Sequence, residues 1–161
     1  MLIDSHPRKT KILVGHKKQV NTFQDMYIKD KLHHSWLLEG PSGVGKATFA
    51  YTISRAILSN NIQNKNISLF NKDTKNNTLE IEYSDKNLIH NRISENTHVD
   101  LKIIERENID KKSFSLDIIP VEKIREVKSF FSKTSGEGGK KILIIDCLDN
   151  LNLHGNNALL K

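Results

Sequence analysis

The sequence contains a single cysteine, Cys147, and no long run of apolar residues. One cysteine forms neither an internal disulfide nor a zinc site of four thiolates. No uncharged apolar segment approaches the roughly 18 residues that cross a bilayer, and the N-terminal residues lack the apolar core of a secretory signal. We therefore expect a protein of the reducing cytoplasm that has no membrane partner.

Arginine is also scarce, although Lys and Arg together outnumber Asp and Glu by 25 to 19 and give a net charge of +6. Most of the positive charge is lysine that is spread along the chain, and no block of basic residues is interleaved with aromatics. A dedicated nucleic-acid surface would concentrate such residues on one face. The charge pattern therefore favours a solvated lysine surface over a DNA-binding stripe.

Apolar periodicity predicts helices and strands in alternation, which is typical of an α/β fold with a mostly parallel sheet. Helices are predicted at 17–32, 46–59 and 120–133, and strands at 36–38, 99–105 and 142–145. The residues expected on the buried stripes of the helices are Val20, Phe23, Tyr27 and Ile28, then Phe49, Ala50, Ile53, Ala56 and Ile57, then Val121, Ile124, Val127 and Phe131.

The segment 60–98 differs from the rest of the chain. It contains ten asparagines and no sustained apolar period, which predicts an irregular insertion. The length of 161 residues suits one ordinary domain with a core of its own. We therefore expect a single domain over 1–161 that carries this insertion.

Residues 40–46 match the first seven positions of the phosphate-binding P-loop pattern and lie between a predicted strand and a predicted helix. Glycines in this pattern let backbone N–H groups surround a phosphate, and the lysine adds a positive charge at the helix N-terminus. The alternative, a chance glycine turn beside a lysine, does not explain the flanking elements. The predicted nucleotide-binding residues are Gly40, Pro41, Ser42, Gly43, Val44, Gly45, Lys46, Ala47 and Thr48.

The residue after the lysine departs from the pattern. A Ser or Thr hydroxyl is required there to bind Mg²⁺, and this chain has Ala47. Thr48 follows, but one residue along a helix turns a side chain by about 100°. We therefore expect ATP or ADP to bind weakly, with Mg²⁺ present only together with the nucleotide.

Asp146 ends the apolar run 142–145, where a carboxylate would lie at the carboxyl edge of a parallel sheet. This is the Walker B position, at which the acid holds the metal through water. A glutamate that orients the attacking water normally follows the aspartate, and Cys147 stands there instead. Losing a metal ligand or a general base lowers rates by orders of magnitude, so little or no hydrolysis is expected and no catalytic residue is assigned.

Five segments in order resemble the delta-prime subunits of bacterial clamp loaders, which are AAA+ proteins, and in particular those of alphaproteobacteria. These segments are 6–16 (HPRKTKILVGH), 32–51, 97–101 (THVDL), 118–146 and 150–161 (NLNLHGNNALLK). The first resembles the box that meets the adenine in AAA+ proteins, and its matching residues are Pro7, Arg8, Val14 and Gly15. The segment 150–161 resembles a helix of the family.

The resemblance implies an AAA+ module with a parallel sheet flanked by helices, and it places the family's arginine finger, helical lid and collar after Lys161. It implies a largely structural subunit of DNA polymerase III with a degenerate ATPase site. The implied partners are gamma or tau and delta subunits and, indirectly, the sliding clamp and primer-template DNA. Many members bind zinc through four cysteines in the insertion, and because 60–98 has none, no zinc is predicted.

Two other functions compete with this interpretation. In an active AAA+ ATPase, Thr48 or a water molecule would replace the missing metal ligand. A P-loop kinase for a small substrate is disfavoured, because nothing in the sequence resembles a substrate-binding lid and the match over 97–161 would remain unexplained.

Overall fold

The computed structural model describes residues 6–10, 12–59, 78–80, 88–105, 119, 121–137, 139–150, 155 and 157. The chain divides into two compact units, Met1–Thr97 and His98–Lys161. None of the helices in these described stretches has the length and apolar character needed to cross a bilayer. Most of the predicted helix over 150–161 lies outside the described residues.

The described residues of the first unit form two paired strands and three helices. A 3-10 turn at Pro7–Lys9 precedes strand β1 (Ile12–Val14), helix α1 (Lys17–Ile28), helix α2 (Lys46–Leu58), strand β2 (Thr78–Glu80) and helix α3 (Leu88–Ser94). Strands β1 and β2 are antiparallel, with Ile12 opposite Glu80 and Val14 opposite Thr78.

Helix α1 is shorter than the sequence predicts. It buries Val20 and Phe23 as expected, but it ends at Ile28, whose side chain is 51% exposed. The end is a Schellman motif, in which Lys31 N–H donates to the Met26 carbonyl and Asp30 N–H to the Tyr27 carbonyl. Asp30 adopts a left-handed φ of 53°. The predicted extension to residue 32 is therefore wrong, because this local motif ends the helix first.

Helix α2 follows the predicted bounds and most of the predicted stripe, since Phe49, Ile53, Ala56 and Ile57 are buried. From residue 51 to residue 58 every side chain is buried, polar ones included. A helix that is buried all round lies inside its domain rather than on its surface, so α2 is the central element of the first unit.

The predicted strand at 36–38 is not formed. Trp36 and Leu37 are 39% and 74% exposed, and the Trp36 indole packs beside Phe23, with ring centroids 5.2 Å apart, while its Nε1–H donates to the His33 carbonyl. A strand requires a neighbouring strand to satisfy its backbone groups. In the described part of the chain this apolar run has no such neighbour.

The segment 60–98 is more regular than predicted, because it contains β2 and α3. Helix α3 buries His90, Ile93 and Ser94. Its few apolar positions lie among asparagines, which hides the helical period in the sequence. Residues 60–77 and 81–87 lie outside the described residues.

A buried arginine joins three elements of the first unit. Arg55 of α2 is 0% exposed, and its guanidinium donates to the backbone carbonyls of Arg8 and, at 3.3 Å, Thr10. It also lies 3.5 Å from the hydroxyl of Ser94 on α3. Burial, and then the nearby Arg55 charge, lower the pKa of His90. Arg55 thus holds the N-terminal turn and α3 against α2.

The second unit contains a parallel pair of strands, β3 (Leu101–Ile104) and β4 (Ile142–Ile145), and helix α4 (Val121–Ser132), followed by a 3-10 turn at Leu148–Asn150. Leu101 lies opposite Ile142 and Ile104 opposite Ile145. The core is formed by Ile104, Ile119, Ile124 and Val127, with Leu143 and Ile145 packed against it. A parallel sheet flanked by helix confirms the predicted α/β class.

One predicted core position in the second unit is wrong. Phe131, expected on the buried stripe of α4, is 50% exposed. In the last turn of α4 the half-buried ring is Phe130, which lies 4.6 Å from the Lys141 ammonium. Lys141 also donates to the Phe130 carbonyl, so this lysine caps the helix end. The inward position of that turn is therefore filled by Phe130.

A buried carboxylate fixes the loop that precedes β4. Asp100 is 1% exposed and accepts hydrogen bonds from the Ser135 hydroxyl at 2.7 Å, Gly136 N–H at 2.9 Å and Glu137 N–H at 3.1 Å. Burial alone would raise the pKa of Asp100, but these hydrogen bonds, together with His98, lower it below its usual value.

Replacing Arg55 by Met is expected to destabilise the protein by about 2–4 kcal/mol, because hydrogen bonds from a buried charged donor to the Arg8 and Thr10 carbonyls are lost and each contributes about 1.5–3 kcal/mol. Urea denaturation measures the loss. The matched control is Arg92→Met, since Arg92 lies on α3 with an exposed side chain. Equal stability of the two variants would contradict the role given to Arg55.

Replacing Asp100 by Asn is expected to lower the free energy of unfolding at pH 7 by about 1–3 kcal/mol, because a charged acceptor is lost. A carboxylate with a lowered folded-state pKa stabilises the protein above its unfolded-state pKa of about 3.9. That stability is lost as the pH falls through the lower folded-state pKa.

The difference between wild type and Asp100→Asn should therefore shrink below about pH 4, as followed by urea denaturation from pH 7 to pH 2. Glu122→Gln, at an exposed position of α4, is the control. A difference that stayed constant over this range would show that the Asp100 charge is not responsible.

Candidate functional site

The P-loop of the first unit has the backbone conformation that its glycines allow. Gly43 and Gly45 adopt backbone φ values of 77° and 97°, which residues with a Cβ rarely adopt. Gly45 precedes α2, and the helix begins with Phe49 N–H donating to the Gly45 carbonyl at 2.8 Å. The N–H groups of the first helical turn have no acceptor within the helix, so they are available to an anion together with the positive end of the helix dipole.

Lys46 folds back over its own loop. Its ammonium donates to the carbonyls of Gly40 at 2.6 Å and Pro41 at 2.8 Å. These contacts hold the first half of the loop beside the start of α2. A bound phosphate would compete with the two carbonyls for the ammonium of Lys46. The same side chain would then hold the empty loop in place and bind the phosphate.

The metal-binding hydroxyl of the P-loop pattern is replaced by a methyl group at Ala47. Ala47 and Thr48 are both half-buried in the first turn of α2. Thr48 follows Ala47 in a regular helix, and consecutive helical residues point about 100° apart. The helix thus supports the expectation that Thr48 does not stand in the place of the missing ligand.

The predicted adenine-side residues do not lie together, because some lie near the start of α2 and others beside its later turns. Gly15, with a φ of 75°, precedes His16, which contacts the P-loop. Arg8 instead lies beside Arg55 through its carbonyl, about 13 Å further along the helix axis than Lys46. Pro7 starts the same 3-10 turn, and the Val14 side chain is 67% exposed.

His16 belongs to this site but is not among the predicted residues. Its Nε2 lies 2.7 Å from the Val44 carbonyl oxygen of the P-loop. Its ring also meets Phe49 edge-on, with centroids 6.2 Å apart. In the sequence, only its position directly after Gly15 pointed to this site, because the P-loop pattern includes no histidine.

In the second unit, Asp146 lies at the carboxyl end of β4, as predicted. Its side chain is exposed, and its N–H donates to the Ile104 carbonyl at 2.9 Å, which extends the parallel ladder by one residue. Cys147 follows with a left-handed φ of 58°, and its Sγ lies 3.6 Å from Asp146 Oδ1. The residue in the place of the expected glutamate is thus a half-buried thiol at a bend.

Comparisons with known proteins find similarity to subunits of DNA polymerase III. A family profile described as "DNA polymerase III, delta subunit" matches residues 15–161. The chain is 28% identical over 155 residues to the DNA polymerase III subunit gamma of Buchnera aphidicola subsp. Schizaphis graminum (strain Sg). That alignment covers 96% of this chain and 36% of the relative, so the chain spans about a third of the relative's length. No solved structure matches the chain significantly.

Replacing Gly45 by Ala is expected to destabilise the P-loop by about 1–2 kcal/mol, because a Cβ at this positive φ is strained and would lie 3.3 Å from His16 Nε2. Gly139→Ala is the control, since a Cβ there meets nothing within 4 Å. Hydrogen exchange of the amides in residues 43–49 measures the effect. Equal exchange in the two variants would contradict it.

Proposed function

Because this chain belongs to the family described as DNA polymerase III, delta subunit, we propose that it is a clamp-loader subunit of the delta-prime type. In this role it is largely structural, and its degenerate P-loop binds ATP or ADP weakly without hydrolysing it. The observation that carries the proposal is Ala47, directly after the lysine of an otherwise complete P-loop. The alphaproteobacterial type suggested by the sequence belongs to the same proposal.

The geometry of the first unit supports phosphate binding without metal chemistry. The loop keeps its left-handed glycines, and the start of α2 keeps its lysine. These groups bind a phosphate through N–H donors and charge. A methyl group at Ala47 offers no oxygen to Mg²⁺, and the metal ordinarily neutralises the charge that develops during phosphoryl transfer.

The geometry of the second unit supports the same conclusion independently. Asp146 directly follows β4, where the Walker B acid of the proposed site would lie. Cys147 offers a thiol where a carboxylate would orient the attacking water, and a neutral thiol is a poor base for water. Two separate hydrolytic parts are therefore absent from their expected positions, 47 and 147.

The proposed partners are gamma or tau and delta subunits and, through the assembled loader, the sliding clamp and primer-template DNA. Because the family acts in DNA replication, we propose a cytoplasmic location. Magnesium would bind at the P-loop only together with a nucleotide. The lack of cysteines in 60–98 supports a subunit without zinc.

A second candidate function is an active AAA+ ATPase of DNA replication or repair. The identity to a subunit named gamma favours it, and so does the retained Lys46. In this case Thr48 or a water molecule would have to bind Mg²⁺ in place of the missing hydroxyl. The two candidates differ in turnover, which can be measured directly.

The first experiment compares ATP turnover by the full-length protein and its Lys46→Ala variant. We expect both proteins to release phosphate at the background rate. Steady turnover by the wild type that is lost in the Lys46→Ala variant would instead establish the active ATPase. The assay uses the isolated protein, so that no ATP turnover by a partner contributes to the measured rate.

The second experiment tests the assembly. Tagged full-length protein is expected to retain gamma and delta subunits on a column, and Lys46→Ala is expected to retain them equally well, since a structural subunit does not depend on its P-loop. Absence of both partners from the wild-type eluate would count against the clamp-loader role.

A further inference from the structure

A histidine from a distant segment of the chain forms a hydrogen bond with the backbone of the P-loop. His16 Nε2 lies 2.7 Å from the carbonyl oxygen of Val44, and 28 residues separate the two in the sequence. A carbonyl only accepts hydrogen bonds, so this contact requires a proton on Nε2. His16 is therefore the donor.

This hydrogen bond fixes a second group that His16 does not touch. The Val44 carbonyl and the Gly45 N–H belong to one planar trans peptide, and in such a peptide the two groups point in opposite directions. Because His16 holds the Val44 carbonyl, the Gly45 N–H points away from His16. Successive backbone N–H groups of such loops are the groups that bind phosphate.

His16 is itself held in place by three contacts. It precedes α1, where its own carbonyl accepts from Val20 N–H at 3.0 Å. Its ring rests edge-on against Phe49 of α2, and the backbone of Gly45 passes so close that an added Cβ would lie 3.3 Å from Nε2. Its own φ of 57° is left-handed. Such a conformation persists only where the surrounding structure imposes it.

We propose that His16 is a positioning residue for phosphate binding, which turns the Gly45 N–H toward the phosphate by donating a hydrogen bond to the Val44 carbonyl. The proposal rests on the proposed function, in which the loop binds a nucleotide. His16 does not contact the phosphate in this role. It reduces the reorganisation that binding requires, which is a general source of affinity.

The test uses two variants of the full-length protein. His16→Phe keeps an aromatic ring beside Phe49 but has no donor, whereas His16→Gln restores an N–H donor on a flexible side chain. We expect His16→Phe to weaken binding of a fluorescent ADP analogue by about 5–10-fold, as for the loss of one hydrogen bond. His16→Gln should recover most of the affinity. Binding of His16→Phe equal to wild type, or no recovery by a folded His16→Gln, would overturn the proposal.

Measurements without nucleotide separate this proposal from the proposed function. In the wild type, long-range ¹H–¹⁵N correlation should show His16 with its proton on Nε2, and a neutral ring protonated on Nδ1 alone would overturn the proposal even if no variant folds. Faster exchange of the Gly45 amide in His16→Phe, restored in His16→Gln, would support it. If the wild type binds no ADP, the nucleotide part of the proposed function fails, while these two measurements still decide the role of His16.

Discussion

The first unit depends on hydrogen bonds from one buried guanidinium to backbone carbonyls. Arg55 is fully buried on the helix that follows the P-loop, and it contacts the N-terminal turn through Arg8 and Thr10. Without this donor the protein would lose hydrogen bonds to a buried charged group, which contribute more to stability than those between neutral groups. The same helix carries the P-loop at its other end. The position of the loop relative to the N-terminal segment therefore depends on a contact at the far end of α2.

The second unit obtains its order from a different device, a buried carboxylate that binds backbone N–H groups. Asp100 directly precedes β3 and accepts hydrogen bonds from the loop that leads into β4. These hydrogen bonds join the starts of the parallel strands β3 and β4, and Asp146 lies at the opposite, carboxyl end of β4. Both units therefore use one buried charged side chain to satisfy backbone groups of a loop, and in each case the charged residue lies away from the residue that the proposed chemistry would use.

Sequence patterns predicted α2, α4 and β4 closely, because strong apolar periods and glycine breaks mark them. They failed where local or tertiary contacts decide the outcome. Asp30 ends α1 early through a Schellman motif, the apolar run at Trp36 and Leu37 has no neighbouring strand in the described structure, and α3 is hidden among asparagines. The P-loop was recognisable from spacing alone. His16 was not, because its contact with Val44 bridges segments that no local pattern connects.

The left-handed backbone at Cys147 has a consequence for substitutions at this position. A positive φ costs about 1 kcal/mol or more for most residues with a Cβ and is tolerated best by Gly, Asn and Asp. Cysteine already bears that cost, and a glutamate in its place would bear it as well. Matching the ATPase pattern would take two substitutions, one at position 47 in the first unit and one at position 147 in the second.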